Sequence, residues 1–440
     1  MRLTAAEIAA VAEGWLVGAD ATVDGATQDS RQVRPGQLFV PVVAERDGHD
    51  FIGDAFAAGA AATLTSRDEP VEGPAVRVDD TVVALQRVAA HARNRMGNAS
   101  VIGITGSAGK TSTKDLLAAI LARAGVTHAS ERSFNNELGV PLTLLNAPEA
   151  VAAVVVEMGM RGPGQITELC RIAAPSMAVV TTVGAAHTSE LGSVEAVAEA
   201  KGEIVVGLPA EGWAVLNAEV PLVTAMADRT HAQVVTFGVE AGDVRAESVE
   251  VLDDLTSRFR LVSPWGSADV ELGARGAHNV ANACAAAAAS LAAGAGMSAV
   301  VAGLADPSMS PWRMELCTAA AGATVLNDAY NANPLSVRSA LDSLAAVPAE
   351  RRVAVLGLMA ELGEQSDQAH AEMADHAQEL GIEVIAVDAP YGDVATVADA
   401  DAALALLHQR RLVAPGVAIL VKGSRVAGLE TVAAALVDAR

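Results

Sequence analysis

Aromatic residues make up only 3% of the 440 positions, so the base stacking that supports single-strand nucleic-acid binding has little to work with. Basic residues are also few. The 30 Lys plus Arg stand against 53 Asp plus Glu, and the formal net charge of -23, with no basic run to offset it, argues against any nucleic-acid partner. A phosphorylated small molecule stays open, because a few backbone amides, one lysine and a metal ion suffice locally. Cys170, Cys284 and Cys317 are far apart and form no CxxC pair, which argues against a disulfide framework or a zinc site and fits a reducing cytosol. Glu7 and Glu13 fall where a signal peptide would need its apolar region, so the start reads as an amphipathic helix and a cytoplasmic protein is expected. Residues 276–305 contain no Asp, Glu, Lys or Arg, a run longer than the ~20 residues that span a bilayer. It is mostly Ala and Gly, which supply little transfer energy, so a close-packed helix inside a soluble domain is expected, with no membrane insertion.

At about 100–200 residues per domain the length predicts two to four domains. The texture of the chain favours three α/β domains: 1–97, 98–312 and 313–440. The first mixes short apolar runs such as Leu38-Phe39-Val40 with helical patches at 51–62 and 82–93. From Val101 the chain reads strand (VIGIT), glycine-rich loop (GSAGK) and helix (TSTKDLLAAILARAG), with Leu116, Leu117, Ile120 and Leu121 at helical spacing and Gly125 as the expected C-cap. Buried strands are expected at 151–156, 177–183 and Trp213–Asn217, the alternation of a doubly wound parallel sheet. Residues 245–272 read as a β-meander turning at Asp253-Asp254. Strand candidates at 323–326, 352–356, Glu383–Val387 and 417–421, separated by helical patches, predict another open, Rossmann-like α/β domain.

The sharpest local signal is Gly106-Ser107-Ala108-Gly109-Lys110-Thr111-Ser112 between a buried strand and a helix. Glycines let backbone N–H groups approach phosphate oxygens, the helix N-terminus favours the anion, Lys110 can reach the β/γ phosphates and Thr111 can ligate Mg²⁺. This reads as a P-loop, although Ile104 occupies the position where the GxxxxGK[ST] pattern has its first glycine. Glu157 ends an apolar strand, at the sheet edge where ligands bind in open α/β folds, and is equally open to a metal-binding role or a surface salt bridge. His187 follows another strand and can ligate a divalent ion or simply bond to backbone. Lys201, on a helical stretch, reads by itself as a surface charge, and His278 and Asn282 at i,i+4 can serve a ligand or a buried helix start.

Together these residues resemble the Mur ligases, ATP-dependent amide ligases of peptidoglycan precursor synthesis. SFNNELGVPLTLL from Ser133, NDAYNANP from Asn327, AELG from Ala360 and VKGSR from Val421 make the chain most similar to the members that add D-Ala-D-Ala to UDP-MurNAc-tripeptide. The resemblance implies a small UDP-binding first domain, with Asp29-Ser30-Arg31 and Gly48-His49-Asp50-Phe51 holding the UDP-sugar end. It implies ATP and Mg²⁺, with Lys110 and Thr111 on the nucleotide and metal, Glu157 and His187 as metal ligands, and Lys201 carbamylated to help position Mg²⁺. His278, Asn279 and Asn282 match its nucleotide-side motif, and Arg313 and Asp328 match residues that close on ATP. Asn135 and Asn136 in the SFNNELG run, and Asn331, Asn333, Lys422 and Ser424 further on, would contact substrate, the last four near the incoming dipeptide. A monomer is expected. Asn327, Leu358 and Thr182 depart from the pattern, and none of them is assigned to phosphate or metal. The relative that adds diaminopimelate typically carries a DNPR segment, and a guanine-nucleotide switch would carry NKxD; neither occurs here.

Overall fold

The computed structural model describes residues 1–184 and 191–438. Its centre is a six-stranded sheet, all parallel, in the order Gln233–Phe237, Trp213–Asn217, Met177–Val180, Ser100–Thr105, Ala153–Glu157, Thr127–Ala129. Ser100–Thr105 comes first in the chain, and its successors are laid down on both sides of it. The loop that follows it therefore opens at the point where the winding reverses, the place where such sheets bind ligands. The strands are continuous runs of Val, Ile and Ala because both faces are covered by helices.

The helix Lys110–Ala122 buries Leu116, Leu117, Ile120 and Leu121 as the spacing predicts, but it ends two residues earlier than expected. Arg123 is the C-cap, and Gly125 only closes a hydrogen bond from its N–H to the Leu121 carbonyl. The strand expected over 177–183 stops at Val180, because Thr181 and Thr182 turn to hold the glycine-rich loop. The charge-free run forms the helices His278–Ala292 and Met297–Ala305. The first packs an almost wholly buried alanine face against Lys110–Ala122, and Gly303 of the second sits so close to Ile120 that a Cβ there would lie 2.5 Å from its Cα. No helix among the described residues is long and apolar enough to cross a membrane.

The N-terminal stretch forms a five-stranded sheet, parallel except for its Trp15–Val17 edge, covered by the helices Ala5–Ala12 and Thr81–Asn94. Its apolar side shares one core with the central sheet. The Met1 ammonium donates to the carbonyls of Leu145 and Ala147, and Asn146 exchanges hydrogen bonds with the backbone of Ala26.

The expected meander is present as three antiparallel strands, Arg245–Val251, Ser257–Ser263 and Gly266–Leu272. Its first turn has a further use: Leu255, left-handed at φ +66°, is buried in the core of the C-terminal unit with Met314 and Leu326. That unit is a second six-stranded sheet, in the order Glu315–Thr318, Thr324–Asn327, Val417–Lys422, Arg351–Gly357, Glu383–Val387, Ala395–Val397. Only Glu315–Thr318 runs antiparallel. Both edge strands escaped the sequence reading because they are short and incompletely buried.

Candidate active site

The glycine-rich loop owes its shape to two positions that no side chain can share. A Cβ on Gly106 (φ +151°) would lie 1.9 Å from Thr181 Oγ1, and one on Gly109 (φ +81°) would lie 2.4 Å from Asn282 Oδ1. Thr181 donates its hydroxyl to the Ala108 carbonyl at 2.6 Å, and the Ser107 N–H donates to the Thr182 carbonyl at 2.8 Å. The backbone of Thr182 makes that contact, so the departure in its side chain costs the loop nothing. Lys110 folds back to donate to the Gly106 carbonyl at 2.6 Å. Burial pulls its ammonium below the usual lysine range, and the charges of Glu157 and Glu361 oppose that shift.

Glu157, at the end of its strand and 1% exposed, accepts the Thr111 hydroxyl at 2.9 Å on one oxygen and the Asn135 amide at 2.9 Å on the other. Two hard oxygen donors thus meet beside the phosphate loop. Asn136 turns the other way and caps the following helix through the N–H groups of Leu138 and Gly139. From the C-terminal unit, Arg313 donates to Thr111 Oγ1 at 3.0 Å while stacked on Tyr330, with its charge centre 4.4 Å from the ring centroid. Asn333 donates to the Ser107 carbonyl at 3.2 Å, and the Tyr330 hydroxyl bonds that of Ser133.

Between these walls lies a cleft of about 510 Å³, lined by Ser107 to Ser112, Asn135, Asn136 and Glu157 on one side and by Arg313, Asn331, Asn333 and Ser424 on the other. Its lining also includes residues that the sequence reading did not assign. Tyr330 and Glu361 lay inside quoted motifs but had no role, Arg425 was expected only as part of the Lys422–Arg425 turn near the dipeptide, and Gln86, Arg161, Gln165 and Glu168 carried no local signal.

Other expected residues stand behind the cleft. Lys422 is buried and does not line it; it donates to Asp328 Oδ2 and to the Asn331 carbonyl at 2.8 Å. Burial lowers its proton affinity and the Asp328 carboxylate raises it. Asp328 in turn accepts the Met314 N–H, which ties the linker to the sheet. Asn279 donates to the Arg275 carbonyl and Asn282 to Asn279, so both shape the helix start under the phosphate loop. His278 Nδ1 and Arg313 Nε are buried nitrogens with no hydrogen-bond partner among the described residues. Burial lowers the His278 pKa. Lys201, read locally as a surface charge, is 1% exposed on the helix Val194–Val206, and burial, then the Lys110 charge, hold its ammonium well below the ordinary lysine value. His187 lies outside the described residues.

In the N-terminal unit, Ser30 and Arg31 form an exposed turn in which Asp29 grips Arg31 through both carboxylate oxygens. His49 is buried: its Nε2 accepts the Ser66 N–H at 3.0 Å, so its proton sits on Nδ1 and is donated to Asp47 at 2.6 Å. Arg67 bridges Asp47 and the exposed Asp50. None of these four expected residues lines the cleft. Of the remaining departures, Asn327 donates its amide to Glu315 at 3.1 Å, a position where an aspartate would face a like charge. Leu358 contributes its carbonyl, which accepts the Ser424 N–H.

A parallel α/β body with a glycine-rich strand-to-helix loop, opposed across a cleft by a second α/β unit that reaches onto that loop, is an architecture suited to a nucleotide-dependent enzyme. Comparison with known proteins narrows the class. Residues 104–290 match the Mur ligase middle domain and 312–425 the Mur ligase, glutamate ligase domain. The UDP-N-acetylmuramoyl-tripeptide--D-alanyl-D-alanine ligase of Mycobacterium bovis is 39% identical over 99% of this chain and 98% of its own length, and that of Escherichia coli K12 is 38% identical with the same coverage. A crystal structure of MurF from Acinetobacter baumannii superposes with a TM-score of 0.89 at 29% identity, covering 100% of this chain and 99% of that one. MurF ligase from Thermotoga maritima, solved in complex with ADP, gives 0.80 at 28% identity over 94% and 96%. The chain belongs to the Mur ligase family and is an enzyme of the ligase class.

Proposed function

We propose that this enzyme joins D-alanyl-D-alanine to UDP-N-acetylmuramoyl-tripeptide, using ATP to activate the tripeptide carboxylate and forming the pentapeptide precursor of peptidoglycan, as a cytoplasmic monomer. The observation that carries the reading is the cleft itself, with the phosphate loop and Glu157 on one wall and Asn331, Asn333 and Ser424 on the other. A carboxylate is a poor electrophile at neutral pH; transfer of the γ-phosphoryl group makes an acyl phosphate with a good leaving group. Lys110 and the loop amides offset charge on that group during transfer. The dipeptide amine, having given up its extra proton to solvent, then attacks the acyl carbon; the nitrogen loses a second proton to solvent, and collapse of the tetrahedral intermediate expels phosphate. Two substrates held on different units must meet at bonding distance, so positioning by both walls carries much of the rate.

A bound nucleotide would offer an acceptor to Arg313 Nε, a buried nitrogen of a cleft-lining residue with no hydrogen-bond partner among the described residues. The donor chemistry at Thr111 and Glu157 suits a hard divalent ion, and Arg313 already brings positive charge against the Thr111 oxygen. Mg²⁺, held by Thr111 and Glu157 and further by His187 and carbamylated Lys201, would neutralise charge on the phosphoryl oxygens. Carbamylation needs a neutral amine: nitrogen attacks CO₂, the N–C bond forms and a proton leaves to solvent. The buried, proton-poor Lys201 supports that chemistry, and the product places an anion beside Lys110 in place of a cation. Ser30, Arg31, His49 and Asp50 fit a role in shaping the loops that meet the UDP end.

The test is phosphate release from ATP with the UDP-MurNAc-tripeptide, with and without D-Ala-D-Ala, together with the product mass. Dipeptide-dependent release with pentapeptide formed is expected. Turnover only with diaminopimelate and the dipeptide precursor would move the substrate assignment, and silence with every amine would sink the reaction.

A further inference from the structure

The cleft wall beside Ser424 is held with unusual care. Three successive peptide groups are anchored by four hydrogen bonds: the Gly357 carbonyl accepts the buried Tyr391 hydroxyl at 3.0 Å, the Leu358 carbonyl accepts the Ser424 N–H at 2.9 Å, the Met359 N–H donates to His370 Nε2 at 2.9 Å, and the Ala360 N–H donates to Ser424 Oγ at 2.9 Å. The next residue, Glu361, lines the cleft with a left-handed backbone at φ +68°. A residue with a Cβ adopts that conformation at a cost, and such outliers persist where surrounding structure over-determines them.

His370 is the part of this anchor with a single workable state. It is wholly buried, its ring stands edge-on to Tyr391 with centroids 4.8 Å apart, and its Nδ1 faces the Ser366 carbonyl at 2.7 Å. A carbonyl can only accept and a backbone N–H can only donate, so the proton must lie on Nδ1 and the lone pair on Nε2. The imidazole acts as a fixed acceptor for Met359, two residues from the carboxylate that enters the cleft.

Resting on the ligase reading above, we propose that Glu361 receives the ammonium group of the incoming dipeptide and that His370 is a positioning residue that holds Glu361 in place. Glu361 shares the cleft with Asn331 and Ser424, on the wall facing the phosphate loop, and its charge reaches Lys110. A carboxylate there orients the amine toward an acyl carbon activated on the opposite wall.

The test is steady-state kinetics of the full-length enzyme with each substrate varied in turn. Glu361→Gln should raise the KM for D-Ala-D-Ala by roughly tenfold or more, the factor expected for losing a hydrogen bond to a charged group, while the KM for ATP and for the tripeptide substrate stays within about twofold. Glu361 is exposed, and denaturant unfolding of Glu361→Gln checks that the fold survives the substitution. His370→Asn, too short to reach Met359, should raise the same KM, and His370→Gln, whose amide oxygen can replace Nε2 as acceptor, should restore it to within about threefold of the parent. Glu361→Gln combined with His370→Asn should be no worse than Glu361→Gln alone. An unchanged dipeptide KM in Glu361→Gln overturns the receiving role, and multiplicative effects in the double variant overturn the positioning role. A parent enzyme that turns over with no dipeptide at all sinks the ligase reading and this assignment with it, whereas a parent that ligates while Glu361→Gln matches it sinks this assignment alone.

Discussion

Replacing Gly106 with alanine tests whether the phosphate loop is shaped by the clash geometry at its first turn. The new Cβ would lie 1.9 Å from Thr181 Oγ1 and 3.0 Å from the Thr182 nitrogen, at φ +151°. Forcing a side chain into that backbone region costs about 1–3 kcal/mol. Displacing the Thr181 hydroxyl breaks its 2.6 Å bond to the Ala108 carbonyl, a further loss of about 1 kcal/mol. The loop can move where the core cannot, so the total of about 2–4 kcal/mol falls on loop conformation, and ATP affinity should drop by roughly 30- to 800-fold. Calorimetric titration with nucleotide measures the drop, and denaturant unfolding checks that the fold survives. Thr181→Ala alone should lose about fivefold in affinity, the equivalent of its hydrogen bond. In the Thr181→Ala background the shortest contact disappears, leaving approaches of 3.0 and 3.2 Å, so Gly106→Ala should be markedly less harmful there. Equal losses in both backgrounds, or a loss below about threefold in the parent, would refute the reasoning.

Three further outcomes are expected. Lys422→Met leaves Asp328 buried without its cation and should lower unfolding stability by about 3–5 kcal/mol in denaturant titrations; a loss below 1 kcal/mol would show that the pair is relaxed in solution. Lys201 holds fewer protons folded than unfolded, so its contribution to stability rises with pH toward the ordinary lysine value, and ¹³C-bicarbonate should give a carbamate signal that grows with pH and is absent in Lys201→Ala. Activity of Lys201→Ala should return with short carboxylic acids, and unaffected activity would remove Lys201 from the site. Asp47, held below its ordinary value of 3.8 by hydrogen bonds from His49 and Arg67, contributes stability that is present above about pH 4 and lost as pH falls through its folded value. Asp47→Asn should therefore differ from the parent at neutral pH and converge with it in acid.

Strands and the phosphate loop were legible in the chain because each is a local pattern. A β-branched run such as VIGIT has few ways to bury itself, and Gly-Ser-Ala-Gly-Lys-Thr after it marks a strand-to-helix turn. Glu157 was legible for the same reason, as the residue that ends an apolar strand, and the structure adds that Thr111 and Asn135 occupy both of its oxygens. Lys201 shows the opposite case. Nothing in EAVAEAKGEI marks it as buried, and only the packing of its helix removes its ammonium from water.

By itself the sequence determined the α/β pattern, the glycine-rich strand-to-helix turn and the motifs that resemble the family, because hydrophobic period and glycine placement act over a few residues. Tertiary structure alone decided which residues share the cleft. Arg313 meets Thr111 across 202 positions and Asn333 meets Ser107 across 226, distances along the chain over which no local pattern carries information. It decided too that Lys422 faces Asp328 instead of the cleft, that His49 is a buried tie and that Leu255 of the meander completes the core of another unit. Burial and partner choice depend on what the rest of the chain brings alongside, and that is settled only when the sheets and helices pack.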